Sequence, residues 1–135
     1  MVRTAYIGVI FVSILISQEF IVQPYLQNAT PNSISILWET DSDSPSIVEW
    51  GLVQFLNEST SGNSFTNYGN SKIHTVELTD LTPNTRYYYR VVVGNYGSYS
   101  DLHDFITPPD PSSEASFRII AMSDMQRDGS NPNKF

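Results

Sequence analysis

Hydrophobic and polar residues alternate along most of the chain between positions 19 and 108. The stretch SISILWET, residues 33–40, places Ile34, Ile36 and Trp38 on one face of a strand and polar residues largely on the other. Stretches rich in Asn, Asp, Ser, Pro and Gly separate such segments at intervals of about 8–15 residues. This pattern predicts an all-β protein, an antiparallel β-sandwich of about seven strands.

The predicted strands cover most of this region. We place them at Phe20–Gln27, Ser33–Thr40, Ser46–Leu52, Lys72–Asp80, the segment that ends at Val93, and Asp101–Pro108. We interpret residues 57–71 as a long polar loop with a short edge strand around Phe65–Tyr68. Four residues share one face of the strand before Gly94, which we expect to lie in the core: Tyr87, Tyr89, Val91 and Val93.

One motif in this region predicts a specific structure. Leu81, Pro83, Thr85 and Tyr87 form the pattern L-x-P-x-T-x-Y. Proline fixes φ where the chain turns between two sheets, and a buried tyrosine that follows can bond back to the backbone of that turn. Together with Trp38 on the second strand, this tyrosine corner resembles a fibronectin type III domain, a fold that carries no chemistry of its own.

Composition excludes several classes of function. The chain has 135 residues, of which 40% are hydrophobic, so a packed core is possible. Its net charge of −7 opposes binding to the phosphate backbone, and we expect no nucleic-acid partner. Because there is no cysteine, disulfides, thiolate catalysis and zinc–thiolate sites are excluded.

The first eighteen residues differ from the rest. Arg3 precedes fifteen uncharged residues, 4–18, which is the plan of a secretory signal peptide. We therefore expect residues 1–18 to direct export, and the protein to be secreted, periplasmic or extracellular. The open alternatives are an uncleaved membrane anchor, in which case residues 4–18 contact a membrane, and a buried first strand.

Candidate chemistry within the predicted sandwich is weak. The two histidines, His74 and His103, lie on separate predicted strands, where a lone histidine is more often a surface or hydrogen-bonded residue than a metal ligand. Two triplets, beginning at Asn28 and Asn57, fit the N-glycosylation sequon and matter only in a host that glycosylates.

The composition changes after the predicted sandwich. Residues 109–116 continue a Pro- and Ser-rich stretch that predicts a semi-rigid linker. The next residues, FRIIAMSD, form a short apolar run typical of a strand buried on both faces, followed by Asp124. Ligands of open α/β sheets bind beyond the carboxyl ends of strands, so this carboxylate is a candidate metal ligand. We interpret residues 117–135 as the start of a second, α/β domain.

Four stretches in this order resemble the purple acid phosphatases and related metallophosphoesterases, in which a fibronectin-like domain precedes a catalytic α/β domain. These stretches are VQPYLQNATPNSISILWET, VEWG, HTVELTDLTPNTRYYYRV and FRIIAMSDMQ, and together they extend from Val22 to Gln126. The resemblance implies residues 19–108 as the N-terminal domain and residues 117–135 as the opening of a metallophosphoesterase domain.

The resemblance also implies a role for Asp124. It matches the aspartate of the family's first metal motif, usually D-x-G or D-x-H, so Asp124 would bind one metal of a dinuclear centre made of Fe with Fe, Zn or Mn. Gln126 departs from that motif and is a second, weaker candidate ligand. The implied substrate of the complete protein is a phosphoester.

This chain alone lacks most of the ligands that a dinuclear centre needs. After Asp124 only Asp128, Asn131 and Asn133 remain as candidate ligands, and no histidine follows. Whether the chain is an enzyme is therefore uncertain: we expect no catalytic residue, cofactor or activity in it by itself, and expect a truncated or degenerate part of a longer phosphoesterase. The alternative is a standalone exported fibronectin-like module for binding or adhesion.

Overall fold

The structure, a computed structural model, describes residues 20–94, 98–116 and 118, and within them the chain forms two antiparallel sheets. Nine strands are present in this part of the chain: β1 Phe20–Gln27, β2 Ile34–Thr40, β3 Ile47–Gly51, β4 Glu58–Ser61, β5 Asn63–Thr66, β6 Lys72–Leu78, β7 Arg86–Val93, β8 Ser98–Tyr99 and β9 His103–Ile106. The one helical segment described is a 3₁₀ turn at Tyr68–Asn70.

The first sheet has the strand order β1-β2-β6-β5, and the second has β4-β3-β7, with β8 and β9 both paired to β7. Their inner faces pack on each other, so the predicted all-β, fibronectin-like sandwich is confirmed. The core consists of Ile34, Ile36, Trp38, Val48, Val76, Leu78, Leu81, Tyr87, Tyr89, Val91, Val93 and Phe105. Every residue predicted to face the core from β7 is among them.

The region predicted as a long polar loop is folded differently. β4 and β5 occupy residues 58–66, and only Gly62 separates them. β4 pairs with β3 in one sheet and β5 pairs with β6 in the other, so the chain changes sheets at this single residue. The predicted edge strand at Phe65–Tyr68 overlaps β5 only at Phe65 and Thr66. Both strands lie at sheet edges and are mostly exposed, and for this reason they lack the alternation that marks the central strands.

The register of the paired strands shows which turns and loops lie at the same end of the sandwich. In the second sheet Gly51 at the end of β3 pairs with Tyr88 near the start of β7, and Ile106 at the end of β9 pairs with Arg86. In the first sheet the end of β6 at Leu78 pairs with Ile34 at the start of β2. One end of the sandwich, here called the exit end, therefore carries the β6–β7 corner, the β1–β2 turn, the β3–β4 loop and the beginning of the linker.

Candidate functional site

The corner between β6 and β7 is held by the tyrosine that the motif singles out. Tyr87 is 5% exposed, and its hydroxyl accepts a hydrogen bond from the backbone N–H of Thr82 at 2.9 Å. Its ring packs on Trp50 and Phe105, with centroids 5.7 and 5.6 Å away. Leu81 is also buried in the core, so side chains on both sides of the corner, Leu81 before it and Tyr87 after it, anchor it to the core.

The backbone of the same corner is bonded to its neighbours. The side-chain amide of Asn32 donates to the carbonyl of Leu81 at 2.9 Å, and the Leu81 N–H donates to the carbonyl of Asn32. Pro83 is half-buried, and its carbonyl accepts a hydrogen bond from the hydroxyl of Thr85 at 2.9 Å. These contacts give Leu81, Pro83 and Tyr87 structural roles at the exit end and no catalytic geometry.

A second cluster lies in the core around His74. The imidazole is 0% exposed and stacks on the indole of Trp38, with ring centroids 4.9 Å apart and planes 9° from parallel. Nε2 lies 2.9 Å from the hydroxyl of Thr40, and Nδ1 lies 2.9 Å from the hydroxyl of Ser46. Both ring nitrogens are thus partnered within the protein, which is the arrangement of a hydrogen-bonded structural histidine.

The hydrogen bonds also define the tautomer of His74. The Thr40 hydroxyl donates its proton to the carbonyl of Ser42 at 2.8 Å, so toward His74 it can only accept. Nε2 therefore carries the proton of the neutral ring, and Nδ1 accepts from Ser46. Burial lowers the pKa of His74; the charge of Asp43 opposes this shift and that of Lys72 adds to it.

Within the described residues, His103 does not form a metal site with His74. His103 lies on β9, and its ring is 5.2 Å from that of Tyr89. Within the part of the chain that the structure describes, no three His, Asp or Glu residues are grouped so as to hold a metal ion. The sandwich therefore does not fit a dinuclear centre. The two candidate ligands, Asp124 and Gln126, lie outside the described residues, and their roles stay predictions.

A groove in the described surface lies beside the aromatic residues Trp50 and Tyr87. It encloses about 530 Å³, and its walls include Trp50, Tyr87 and the β3–β4 loop with Leu52, Val53 and Phe55. Phe55 is 83% exposed. The groove contains Glu58 as its one charged wall residue, so it offers an apolar surface and no set of catalytic groups.

Comparison with solved structures supports the class of protein that this fold defines. The chain is similar to the sensor domain of the anti-sigma factor RsgI4 of Pseudobacteroides cellulosolvens, with a TM-score of 0.51 and 19% identity. The likeness covers 75% of this chain and 99% of that domain. At this level of identity it shows a shared β-sandwich fold and nothing about function.

Sequence comparison defines the family. The family model described as "Purple acid Phosphatase, N-terminal domain" matches residues 21–107, which is more than half of the chain. The chain is also 32% identical over 108 residues to acid phosphatase A of Cryphonectria parasitica. It belongs to the purple acid phosphatase N-terminal domain family, as the sequence resemblance indicated.

The match to acid phosphatase A covers 77% of this chain and 21% of that protein, so this chain spans about a fifth of the length of its relative. Residues 1–18, the predicted export segment, lie outside the described part of the chain. Among the residues described, no helix has the length and apolar character needed to cross a membrane.

Proposed function

We propose that this chain is the N-terminal accessory domain, with the first metal ligand, of a secreted metal-dependent phosphoesterase. The observation that supports the proposal most strongly is the family match over residues 21–107, followed in the sequence by the linker and the run FRIIAMSD. In this proposal the sandwich has a structural role. His74 forms hydrogen bonds within the sandwich, and Tyr87 stabilises the β6–β7 corner.

In this proposal Asp124 is the residue of this chain that touches the metal centre of the complete protein. A dinuclear centre supplies an activated water or hydroxide and neutralises charge on the phosphoryl oxygens. Asp124, two positions after the apolar run ends at Met122, has the hard oxygen donors that such metals accept. Gln126 offers only a neutral amide oxygen and is the weaker ligand.

Sequencing of the gene beyond the codon for Phe135 tests this proposal. We expect the gene to encode the remaining ligand motifs that the family resemblance implies, of the types G-D-x-x-Y, G-N-H-E and G-H-x-H. A reading frame that continues without them would contradict the proposal. Export is tested separately by N-terminal sequencing of the mature protein, which we expect to begin near Glu19.

A binding or adhesion module is the second candidate function. The observation that favours it is the apolar groove beside Trp50, where Leu52, Val53 and Phe55 are exposed. It predicts that Asp124→Ala leaves every activity of the protein unchanged, whereas Phe55→Ser abolishes binding to the partner. The accessory-domain proposal predicts the opposite result for Asp124→Ala in the complete protein.

A further inference from the structure

The β3–β4 loop, residues 52–57, exposes apolar side chains at the exit end. Leu52 and Val53 are each 59% exposed, Phe55 is more exposed still, and the loop sequence LVQFLN contains no charge. The two ends of the loop lie close together, since a Cβ atom built on Gly51 would be 2.8 Å from the side-chain oxygen of Asn57. Contiguous exposed apolar groups on a folded domain mark an interaction surface more often than isolated ones do.

The β3–β4 loop and the linker leave the second sheet near each other. β3 and β9 pair with β7 from opposite sides, so their ends are two strand spacings apart, about 10 Å. The ring of Tyr87 contacts both neighbours, Trp50 just before the loop and Phe105 just before the linker, with centroids 5.7 and 5.6 Å away. A domain attached to the linker therefore starts close to the loop.

The linker is anchored at its start. The buried Thr107 exchanges two hydrogen bonds with Thr85: its N–H donates to the Thr85 carbonyl at 3.0 Å, and its hydroxyl accepts from the Thr85 N–H at 2.9 Å. One residue later, the carbonyl of Pro108 accepts from the N–H of Asn84 at 3.1 Å. The direction in which the chain leaves β9 is thus fixed by the β6–β7 corner.

The remaining linker is short. Residues 109–116 span at most about 28 Å when fully extended. A hydrogen bond of 2.9 Å from the N–H of Ser113 to the carbonyl of Asp110 closes a turn that shortens this reach. A domain of about 250 residues has a radius of gyration of about 18 Å. The reach is comparable to the size of such a domain, so its surface stays within contact distance of the exit end.

We propose that the β3–β4 loop is the contact through which the sandwich docks onto the catalytic domain that follows the linker. This inference rests on the proposed function, because it requires a phosphoesterase domain in the same polypeptide. A short linker raises the effective concentration of an attached domain to about the millimolar range, so a small apolar contact suffices. The complementary surface on the catalytic domain is apolar, since the loop has no charge to pair with a buried one.

Hydrogen exchange in the complete protein tests this docking. Residues 52–57 lie between strands, so we expect their amides to exchange rapidly in the 135-residue chain and at least about tenfold more slowly in the complete protein. The turn at Tyr68–Asn70, next to the start of β6 at the other end of the sandwich, is the internal reference and should exchange alike in both. Equal exchange of residues 52–57 in the two proteins would overturn the proposal.

A matched pair of variants tests the apolar side chain. Phe55→Ser in the complete protein should return the loop to the rapid exchange of the 135-residue chain. Phe65→Ser, at an exposed position of β5 that pairs with Ile73 near the start of β6, should retain slow exchange. Slow exchange that persists in Phe55→Ser would overturn the proposed contact. Slow exchange in the 135-residue chain that increases with its concentration would identify a second copy as the occupant and would also overturn it.

Asp124→Ala distinguishes this inference from the proposed function. The variant should abolish turnover by the complete protein and leave the exchange of residues 52–57 unchanged. Turnover that depends on Asp124 together with a rapidly exchanging loop would overturn the docking alone and would favour an external partner for the loop. Turnover independent of Asp124 would contradict the proposed function, and the exchange data would still decide the docking. A gene that encodes no further domain would overturn both.

Discussion

Tyr87 links the corner between the sheets to the core through one hydroxyl, which bonds the N–H of Thr82 at 2.9 Å. We expect Tyr87→Phe to keep the ring packed and to lower the free energy of unfolding by about 1 kcal/mol, the usual contribution of one hydrogen bond. Chemical denaturation measures the change. Trp38→Ala removes a buried indole and serves as the comparison. We expect it to lower the free energy of unfolding by about 3–5 kcal/mol. An unchanged stability in Tyr87→Phe would contradict the role of the hydroxyl.

His74 makes the stability of the sandwich depend on pH. Burial lowers its pKa in the folded protein from the ordinary value of 6.5, so the folded state favours the neutral ring. The unfolded state then binds the proton more readily, and the stability present above about pH 6.5 is lost as the pH falls toward the lower folded pKa. We expect the free energy of unfolding to decline over this window in the wild type and less steeply in His74→Gln.

Two charged residues that act on the pKa of His74 provide further variants for this experiment. Asp43 favours the protonated ring and Lys72 disfavours it, so Lys72→Gln should reduce the decline and Asp43→Asn should increase it. Long-range ¹H–¹⁵N spectra provide an independent check, since the hydrogen bonds require the neutral ring to carry its proton on Nε2. A pH profile identical in His74→Gln and wild type would contradict the buried neutral histidine.

At the scale of elements, the crossing from β4 to β5 depends on Gly62. A Cβ atom built on Gly62 would lie 2.0 Å from the carbonyl oxygen of Thr75, so no other residue fits without movement of the backbone. We expect Gly62→Ala to destabilise the protein by about 1–3 kcal/mol, as overpacking does. Ser64→Ala, at an exposed position of β5, is the matched control and should change stability by less than about 0.5 kcal/mol. Equal melting temperatures for the two variants would contradict the tight crossing.

The elements differ in how far the sequence predicts them. β2 and β7 bury alternate residues, so Ile36, Trp38, Tyr89 and Val91 could be placed in the core from periodicity alone. Residues 58–66 carry no such signal because edge strands need no buried face, and the close approach at Gly62 is a tertiary contact that no local pattern reveals.

For the candidate site too, the sequence predicts local motifs but not contacts between distant residues. The proline and the tyrosine of the corner are four positions apart in one motif, so their joint role is predictable from sequence. The environment of His74 is not, because its partners Thr40 and Ser46 lie on or next to other strands. Alternation along β6 shows that His74 shares a face with Val76, but the choice of that face as the inner one depends on pairing with β2.

At the scale of the whole molecule, the role that we propose for the described sandwich is support. Its buried histidine is satisfied internally, its corner motif is structural, and its described residues hold no metal cluster. The linker leaves from the exit end, and its residues line a groove there together with Ile106. This arrangement suits an accessory domain that positions a neighbour.

We propose that this chain supplies structure and one metal ligand to a phosphoesterase, and we expect no catalysis by the chain alone. The most direct test compares hydrolysis of a simple phosphomonoester by the 135-residue chain and by the product of the complete reading frame, each with Fe, Zn or Mn. We expect no turnover by the chain alone, and turnover by the complete product that Asp124→Ala abolishes. Turnover by the 135-residue chain, or a complete product that is inactive or unaffected by Asp124→Ala, would contradict the account.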